Sequence, residues 1–168
     1  MGKQSSSVYR SLLHYDLAGF PGGLTPIAAF LDGVSTLELT PTLPCLGKRL
    51  TTTTWGETTA TWNTSDGSAA WSPPNAVSPQ TGPYSDVGAV AINLPNGALL
   101  GNYNPFSVPG FWGLVLDAIA NRGGQLHLII MVPDETDIYA GRPEFTDKED
   151  TFHEGAAAPK LRVICSGA

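Results

Sequence analysis

The sequence predicts an all-β fold, an antiparallel β-sandwich with one short helix. Segments in which apolar and polar residues alternate recur along the chain, as expected for strands that bury one face. The chain has 19 glycines and 14 prolines in 168 residues, and they separate these segments with turns and loops. Charged residues make up only 14% of the chain, as in many turn-rich β proteins. This length fits a single domain, residues 1–168, with its core within 8–165 and a flexible arm at 1–7.

The first predicted strand covers residues 8–17. Leu13 and Tyr15 face inward there, whereas His14 and Asp16 face outward. Residues 25–30 are apolar, and their pattern does not decide between types of secondary structure. Residues 125–132 are largely apolar, interrupted by His127, and are interpreted as a buried strand. The further predicted strands cover residues 35–41, 87–94, 125–132 and 160–165, and residues 102–109 are predicted to be irregular.

One short helix is predicted near residues 110–121. Phe111, Val115 and Ile119 recur at the spacing that places side chains on one face of a helix. Arg122 and Gly123 follow, and both residue types suit a helix C-terminus. The segment therefore has room for about three helical turns.

The least ordinary stretch runs from residue 51 to residue 74 and combines threonines with tryptophans. Both residue types favour strands, because branched and aromatic side chains pack well on a pleated surface. Trp55 and Trp62 are interpreted as core residues, with a bulge at Gly56 that brings both rings to one face. Trp71, beside a proline-rich loop, is expected to contact a ligand or partner. The predicted core residues are Tyr15, Trp55, Trp62, Leu126, Leu128, Leu161 and Val163.

Charge and hydropathy exclude two classes of partner. The net charge is −6 and no basic stripe is present, which argues against a nucleic-acid-binding surface. The longest apolar run, residues 126–132, is too short to span a bilayer, so no membrane association is expected. The first residues lack the apolar region of a signal peptide, so synthesis in the cytosol is expected unless the chain is cut from a precursor. The two cysteines, Cys45 and Cys165, are expected to be free thiols.

The sequence contains no catalytic constellation, so the chain is predicted not to be an enzyme. It has neither a G-x-S-x-G elbow nor a Gly-rich phosphate loop. The histidines, His14, His127 and His153, are too scattered for metal-ligand spacing. His14 and Asp16 share the outward face of one strand and lie within reach of each other, but a solvated polar face is the favoured interpretation over catalysis.

Acidic loops at residues 134–137 and 147–150 carry the oxygen ligands that calcium prefers, but neither has EF-hand spacing. Solvated loops are therefore the favoured interpretation, and no cofactor and no metal are predicted. Glycoside hydrolysis needs two carboxylates at a defined separation. Three glutamates are candidates for such a pair, but the sequence determines no distance between them: Glu144, Glu149 and Glu154.

Five segments, in order, resemble the DNRLRE-type β-sandwich domains, which are related to certain carbohydrate-binding modules. Residues 55–63 match the most specific motif of that family, W-x-E-x-x-x-T-W-N. Residues 10–17 are similar to its R-x-L-L-x-F-D-L strand, and residues 159–163 to its closing P-x-L-x-V strand. The remaining similar segments are residues 20–31 and 71–76, which look like a connection and a loop of the family.

The resemblance implies a jelly-roll-like antiparallel sandwich without enzymatic activity, in which the motif tryptophans are structural. The chain departs from the family at two points. The family has a further strand before the R-x-L-L strand, for which few residues remain here, and Pro74-Asn75 replaces its usual glycine pair. A sheet without that first strand has an open edge, which a neighbouring subunit can cover by strand addition.

Two functions follow from the sequence. The first is a non-catalytic structural protein, a decoration or auxiliary protein of a phage capsid or tail, which assembles with itself or with a capsid or tail protein. It would reside on the virion or particle surface after synthesis in the host cytoplasm. The alternative is a carbohydrate-binding module that binds polysaccharide through aromatic residues in or beside loops. These predicted ligand-binding residues are Trp71, Tyr84, Tyr103, Phe106 and Trp112.

Overall fold

The computed structural model of the chain describes residues 2–4, 7–36, 43–61, 64–71, 84–94, 103–133, 144–145 and 158–167. This part of the chain is mostly antiparallel β-structure with one short helix, as predicted. In chain order the elements are β1 (Gly2–Gln4), β2 (Ser7–Tyr9), β3 (Ser11–Asp16), β4 (Thr25–Thr36), β5 (Leu43–Leu50), β6 (Tyr84–Leu94), β7 (Tyr103–Pro109), α1 (Trp112–Asn121), β8 (Gln125–Met131), β9 (Glu144–Phe145) and β10 (Lys160–Ser166).

The strands form two main sheets. Sheet I has the order β3-β8-β5-β6, and sheet II has the order β10-β4-β7. The short strand β9 pairs with the end of β4, beyond the last residue that β10 reaches. All these pairs are antiparallel, and β1 pairs separately with β2. The segment predicted as an arm, residues 1–7, thus contains β1 and the first residue of β2.

The core lies between the two sheets and is closed by α1. Alternate residues of β8, among them Leu126 and Leu128, face this core and are fully buried. Burying one such aliphatic side chain contributes about 1.5–3 kcal/mol relative to leaving it exposed. Tyr15, Leu161 and Val163 pack against the same core from the edge strands and are partly buried. The other buried members include Ala29, Leu31, Ile92, Val108, Phe111, Val115 and Ile130.

A second apolar cluster lies on the opposite face of sheet I. Leu50, Trp71 and Ile129 form its buried centre, and Trp55 and Tyr84 pack against it. Strand β8 is therefore buried on both faces, which explains why its sequence is mostly apolar rather than alternating. Trp62 lies outside the described residues.

The threonine- and tryptophan-rich stretch covers this face as a loop and does not form a strand within residues 51–61 and 64–71, apart from an isolated bridge between Thr64 and Ala70. Its backbone groups bond to each other: the Gly56 N–H donates to Ser65 O over 2.8 Å. The Asp66 carboxylate accepts from the Ser68 and Ala69 N–H groups, which is an Asx-type turn. Local hydrogen bonding thus replaces the ladder that the strand propensity predicts.

The helix begins at Trp112 and ends at Asn121, as the spacing predicts. Its C-terminus is closed by the N–H groups of Arg122 and Gly124, which both donate to Ala118 O. Gly124 has a φ of 81°, a left-handed conformation that favours glycine. It also lies against the backbone of Ala18, where a Cβ would stand 2.4 Å from the nitrogen.

The predicted strands agree with the structure at residues 87–94, 125–132 and 160–165, with boundary shifts of a few residues. The single strand predicted at 8–17 is instead divided between β2, which pairs with β1, and β3, which pairs with β8. Residues 25–30 belong to the long strand β4, and residues 37–41 lie outside the described residues. The prediction of an irregular segment at 102–109 is wrong, because residues 103–109 form β7. Its two prolines, Pro105 and Pro109, are tolerated because β7 is an edge strand among those described.

Candidate functional site

Two of the predicted ligand-binding aromatics lie in the protein interior. Trp71 is 6% exposed, and its Nε1 donates to Thr61 O over 2.9 Å. Phe106 is 8% exposed and packs over Gly33 on the neighbouring strand. Stacking on a sugar needs an exposed aromatic face. The structure therefore corrects the expectation that Trp71 and Phe106 are contact residues; both rings fill apolar clusters instead.

The other three predicted aromatics have different surroundings. Tyr84 is half-buried, and the Lys48 ammonium lies 4.7 Å from the centre of its ring. For Tyr103 only the backbone, in β7, is described. Trp112 is 46% exposed, although its Nε1 donates to Pro26 O over 2.7 Å. Among the four whose side chains are described, Trp112 is thus the one with an exposed ring, and these four do not form one platform.

A polar ladder crosses the outer face of sheet I at β3 and β8. His14 and His127 occupy directly opposite positions, and their rings stack with centroids 4.2 Å apart. Trp55 Nε1 donates to His127 Nδ1 over 2.9 Å, so the proton of the neutral imidazole lies on Nε2. Gln125 bridges His14 and Asp16, which the sequence places within reach of each other: it accepts from His14 Nε2 and donates to Asp16.

The electrostatics of this ladder keep His127 neutral. Burial, and then the neighbouring His14, lower the pKa of His127 to about 4. The Ala18 N–H and the Gln125 amide stabilise the Asp16 carboxylate, which lowers its pKa. Because Nδ1 of His127 already accepts from Trp55, this atom is not available as a base. The hydrogen bond between Trp55 and His127 holds the loop that carries Trp55 against sheet I.

The described residues contain no group of three or more metal-ligating side chains. The acidic loops at 134–137 and 147–150 lie outside them, as do Glu149 and Glu154. Both cysteines are free, as predicted, and burial raises the pKa of Cys45 to about 12. Within the described part of the chain, no helix is long and apolar enough to cross a membrane.

The edges of the two sheets define two sides of the sandwich. Among the described strands, β3 and β6 are the edges of sheet I, and β10 and β7 are the edges of sheet II. The Tyr15 hydroxyl on β3 donates to Pro159 O, just before β10, over 3.2 Å. Strands β6 and β7 likewise contact each other. One side of the sandwich is therefore formed by β3 and β10, and the other by β6 and β7.

The β6/β7 side is interrupted. Prolines at 105 and 109 remove two backbone N–H donors from β7. Strand β6 shifts register against β5, so residues 86–89 form a bulge opposite Lys48. Gly88 in this bulge has a φ of 74°, and Asp86 forms an ion pair with Lys48. Prolines and bulges are the features by which β proteins block pairing at an edge.

The β3/β10 side is not interrupted in this way. Strand β3 pairs with β8 through six successive residues and contains no proline. Strand β10 pairs with β4 through seven successive residues, and the extra residue at the one irregularity, Ile27, belongs to β4. Both strands thus present regular backbone on the side that no other described strand occupies.

Four exposed apolar side chains lie near the start of β4, where β4 pairs with the end of β10. They are Leu24, Ile27, Trp112 and Ile164, which are 40–56% exposed, and we call this region the apolar end. Ile164 is opposite Ala28, the neighbour of Ile27. The indole of Trp112 bonds to Pro26 O in the same stretch of β4. Several exposed apolar side chains in one region are typical of interaction surfaces.

The cation next to the apolar end on β10 is neutralised by its neighbours. Arg162 Nε donates to Asp32 Oδ2 over 2.6 Å, and its Nη2 donates to Ser107 Oγ. Its guanidinium lies 4.2 Å from the centre of the Phe30 ring. The Arg162 hydrogen bond lowers the pKa of Asp32, so the pair stays ionised. Arg162 is therefore held flat on the sheet.

No protein-family model matches the chain, and no curated protein matches it significantly. The resemblance to DNRLRE-type domains stays a prediction from the sequence motifs.

Proposed function

We propose that this chain is a non-catalytic assembly protein that acts through protein–protein contacts, as a decoration or auxiliary protein of a phage capsid or tail. The observation that supports this most is the uninterrupted β3/β10 side with the apolar end beside it. Regular edge strands promote pairing with further strands, and proteins that stay monomeric block them. Here the prolines and the edge-strand bulge lie on the β6/β7 side.

The assignment to a virion rests on the sequence: an acidic β-sandwich without a catalytic constellation. Its residence on a particle surface after synthesis in the host cytoplasm, and the jelly-roll-like, DNRLRE-like character of the sandwich, belong to the same proposal. Fold class alone carries no function, so the proposal depends on the edges and the apolar end.

Co-sedimentation with particles tests this function. Particles from the native source are separated on a density gradient, and the chain is followed with a specific antibody. We expect it in the particle fraction, and we expect added Ile164→Lys protein to bind the particles less than wild type. The matched control is Val87→Lys, because Val87 is 78% exposed on the β6/β7 side. Absence of the chain from every particle fraction would contradict the proposal.

Carbohydrate binding remains the second candidate, and the exposed ring of Trp112 favours it. A sugar site also needs polar side chains that bond to hydroxyl groups beside the aromatic face. Trp112 instead bonds to the backbone of Pro26, and the other exposed side chains near the start of β4 are apolar, which fits a protein contact better. A glycan array decides: specific binding that Trp112→Ala removes, with the fold unchanged by circular dichroism, would establish this alternative.

A further inference from the structure

We propose that the partner at the β10 edge is a second copy of this chain, whose β10 pairs antiparallel with the first across a two-fold axis. This inference rests on the proposed assembly function and deepens it, because it names a partner and a register. The paired sheets II would then have the continuous order β7-β4-β10-β10-β4-β7.

The first argument is the choice of edge. Strand β10 carries Ile164, which is 41% exposed, on its outward face. Ile164 belongs to the apolar end, so a strand laid along β10 covers this part of it. Charges on an edge strand usually oppose pairing. The Arg162 charge opposes it less, because Asp32 and Ser107 already bind its guanidinium.

The second argument is self-complementarity. Opposite residues of an antiparallel pair lie on the same face of the sheet, so the register of a self-paired strand changes in steps of two residues. With Val163 on the axis, all seven residues of β10 pair, Arg162 lies opposite Ile164 of the second copy, and Lys160 lies opposite Ser166. No like charges face each other in this arrangement.

The neighbouring registers fit less well. A shift that places Arg162 on the axis sets two guanidinium groups opposite each other, which is destabilising. A shift that places Ile164 on the axis leaves Lys160 and Leu161 without cross-strand partners and shortens the ladder. The Val163-centred register is therefore the longest one without a like-charge pair.

The symmetry limits the assembly to a dimer. A two-fold interface uses the same surface on both copies, so each β10 edge is consumed by one partner and the contact cannot propagate. The interrupted β6/β7 sides remain at the outer ends of the paired sheets. The predicted unit of assembly is thus a closed dimer rather than a fibre.

Sedimentation velocity measures the dimer directly. We expect the wild-type chain to dimerise reversibly. The variant Ile164→Lys should raise the dissociation constant at least about tenfold, since it places an ammonium group opposite Arg162 of the second copy. Val87→Lys makes the same change on the opposite side and should leave the constant unchanged. A wild-type chain that is monomeric at all concentrations, or equal losses in both variants, would overturn the proposal.

Disulfide trapping tests the register. In a Cys165→Ser background, Lys160→Cys combined with Ser166→Cys places two cysteine pairs across the axis, and oxidised glutathione should yield a covalent dimer on a non-reducing gel. Lys160→Cys alone is the matched control and should not be trapped. Trapping through Ile164→Cys alone, without trapping of the double variant, would overturn the register.

The two proposals can fail separately. A monomer that still co-sediments with particles would reject this dimer and leave the assembly function standing. A trapped dimer that binds no particle would support the dimer and reject the assembly function.

Discussion

At the residue scale, His127 connects a loop to a sheet through one ring nitrogen. Its Nδ1 accepts from Trp55 only while that nitrogen carries no proton. The stacked ring of His14 and the burial of the site both oppose protonation, which lowers the pKa of His127. The same contacts that hold the Trp55 loop in place therefore respond to pH.

Acid should weaken the fold through this residue. The pKa of His127 is about 4 in the folded protein against 6.5 as its ordinary value. Between these values the unfolded chain binds the proton and the folded chain does not, so the free energy of unfolding falls as pH decreases from about 6.5 to about 4. The expected loss is on the order of 1–3 kcal/mol. Urea unfolding at several pH values measures it, and His127→Gln should flatten the curve in this window; an unchanged pH dependence in that variant would contradict the assignment.

Two adjacent glycines after the helix should respond differently to alanine. Gly123 has a φ of 60° and open space around its Cα, so Gly123→Ala is expected to cost about 1 kcal/mol from backbone strain alone. At Gly124 a Cβ would also meet the backbone of Ala18 at 2.4 Å. We expect Gly124→Ala to lower the melting temperature clearly more than Gly123→Ala in differential scanning calorimetry. Equal effects would show that the close approach is not maintained in solution.

At the element scale, the loop of residues 51–61 and 64–71 acts as a third layer over sheet I. Trp71 inserts into this layer next to Leu50 and Ile129. Because Trp71 joins the loop to the sheet, it contributes to stability whether or not the surface of the loop binds a ligand or a partner. Loss of binding in a Trp71 variant would therefore not identify a contact residue.

Trp71→Ala and Trp112→Ala should separate stability from contact. Trp71→Ala is expected to lower the free energy of unfolding by about 3–5 kcal/mol, because it empties a buried site. Trp112 is 46% exposed, and we expect Trp112→Ala to cost less, about 1–2 kcal/mol, most of it from its bond to Pro26. Guanidinium titrations followed by circular dichroism compare the two. A larger loss for Trp112→Ala would reverse the assignment of core and surface.

The elements that the sequence predicts well are those whose pattern follows from burial alone. Strand β8 is apolar because both of its faces are covered, and α1 has apolar residues at helical spacing because one face packs on the core. The sequence does not predict strand β7, because its prolines are tolerated only in an edge strand. Which strands are edge strands depends on tertiary pairing. Strand β5 contains Lys48 and Arg49, whose partners Asp86 and Asp117 are distant in sequence.

The candidate site is harder to predict from the sequence, for a related reason. Local sequence shows that Trp71 and Trp112 are both near loops, but not which ring a neighbouring element covers. The stacking of His14 on His127 depends on the register of β3 against β8. The open β3/β10 side depends on the order of strands in both sheets. His14 and His127, and likewise Tyr15 and Pro159 at the open side, are more than 100 positions apart, so no local pattern indicates these contacts.

At the scale of the whole molecule, the sandwich has one side that favours further pairing and one that opposes it. The Tyr15–Pro159 hydrogen bond joins the two sheets at the open side. Among the described strands, this asymmetry leaves one side of the sandwich on which further pairing is expected.

Amide hydrogen exchange should show the asymmetry. At high protein concentration, the β10 amides that face away from β4 are expected to gain protection, because a second strand accepts their hydrogen bonds. The β7 amides, at the opposite edge, serve as the internal control and should not change. Concentration-independent exchange throughout β10 would contradict pairing at this edge.

The order of strand pairing also determines when β3 can first pair during synthesis of the chain. Strand β3 pairs with β8, so the ladder at Asp16 cannot begin to form until Gln125 has been synthesised. At about 5–20 residues per second this interval lasts roughly 5–20 s. During that time β8 has not been synthesised. The apolar side chains of β3 and the loop that carries Trp55 therefore have no strand β8 to pack against. The nascent chain therefore exposes its future edge strand early in synthesis, and its folding yield should depend on chaperone binding at that segment.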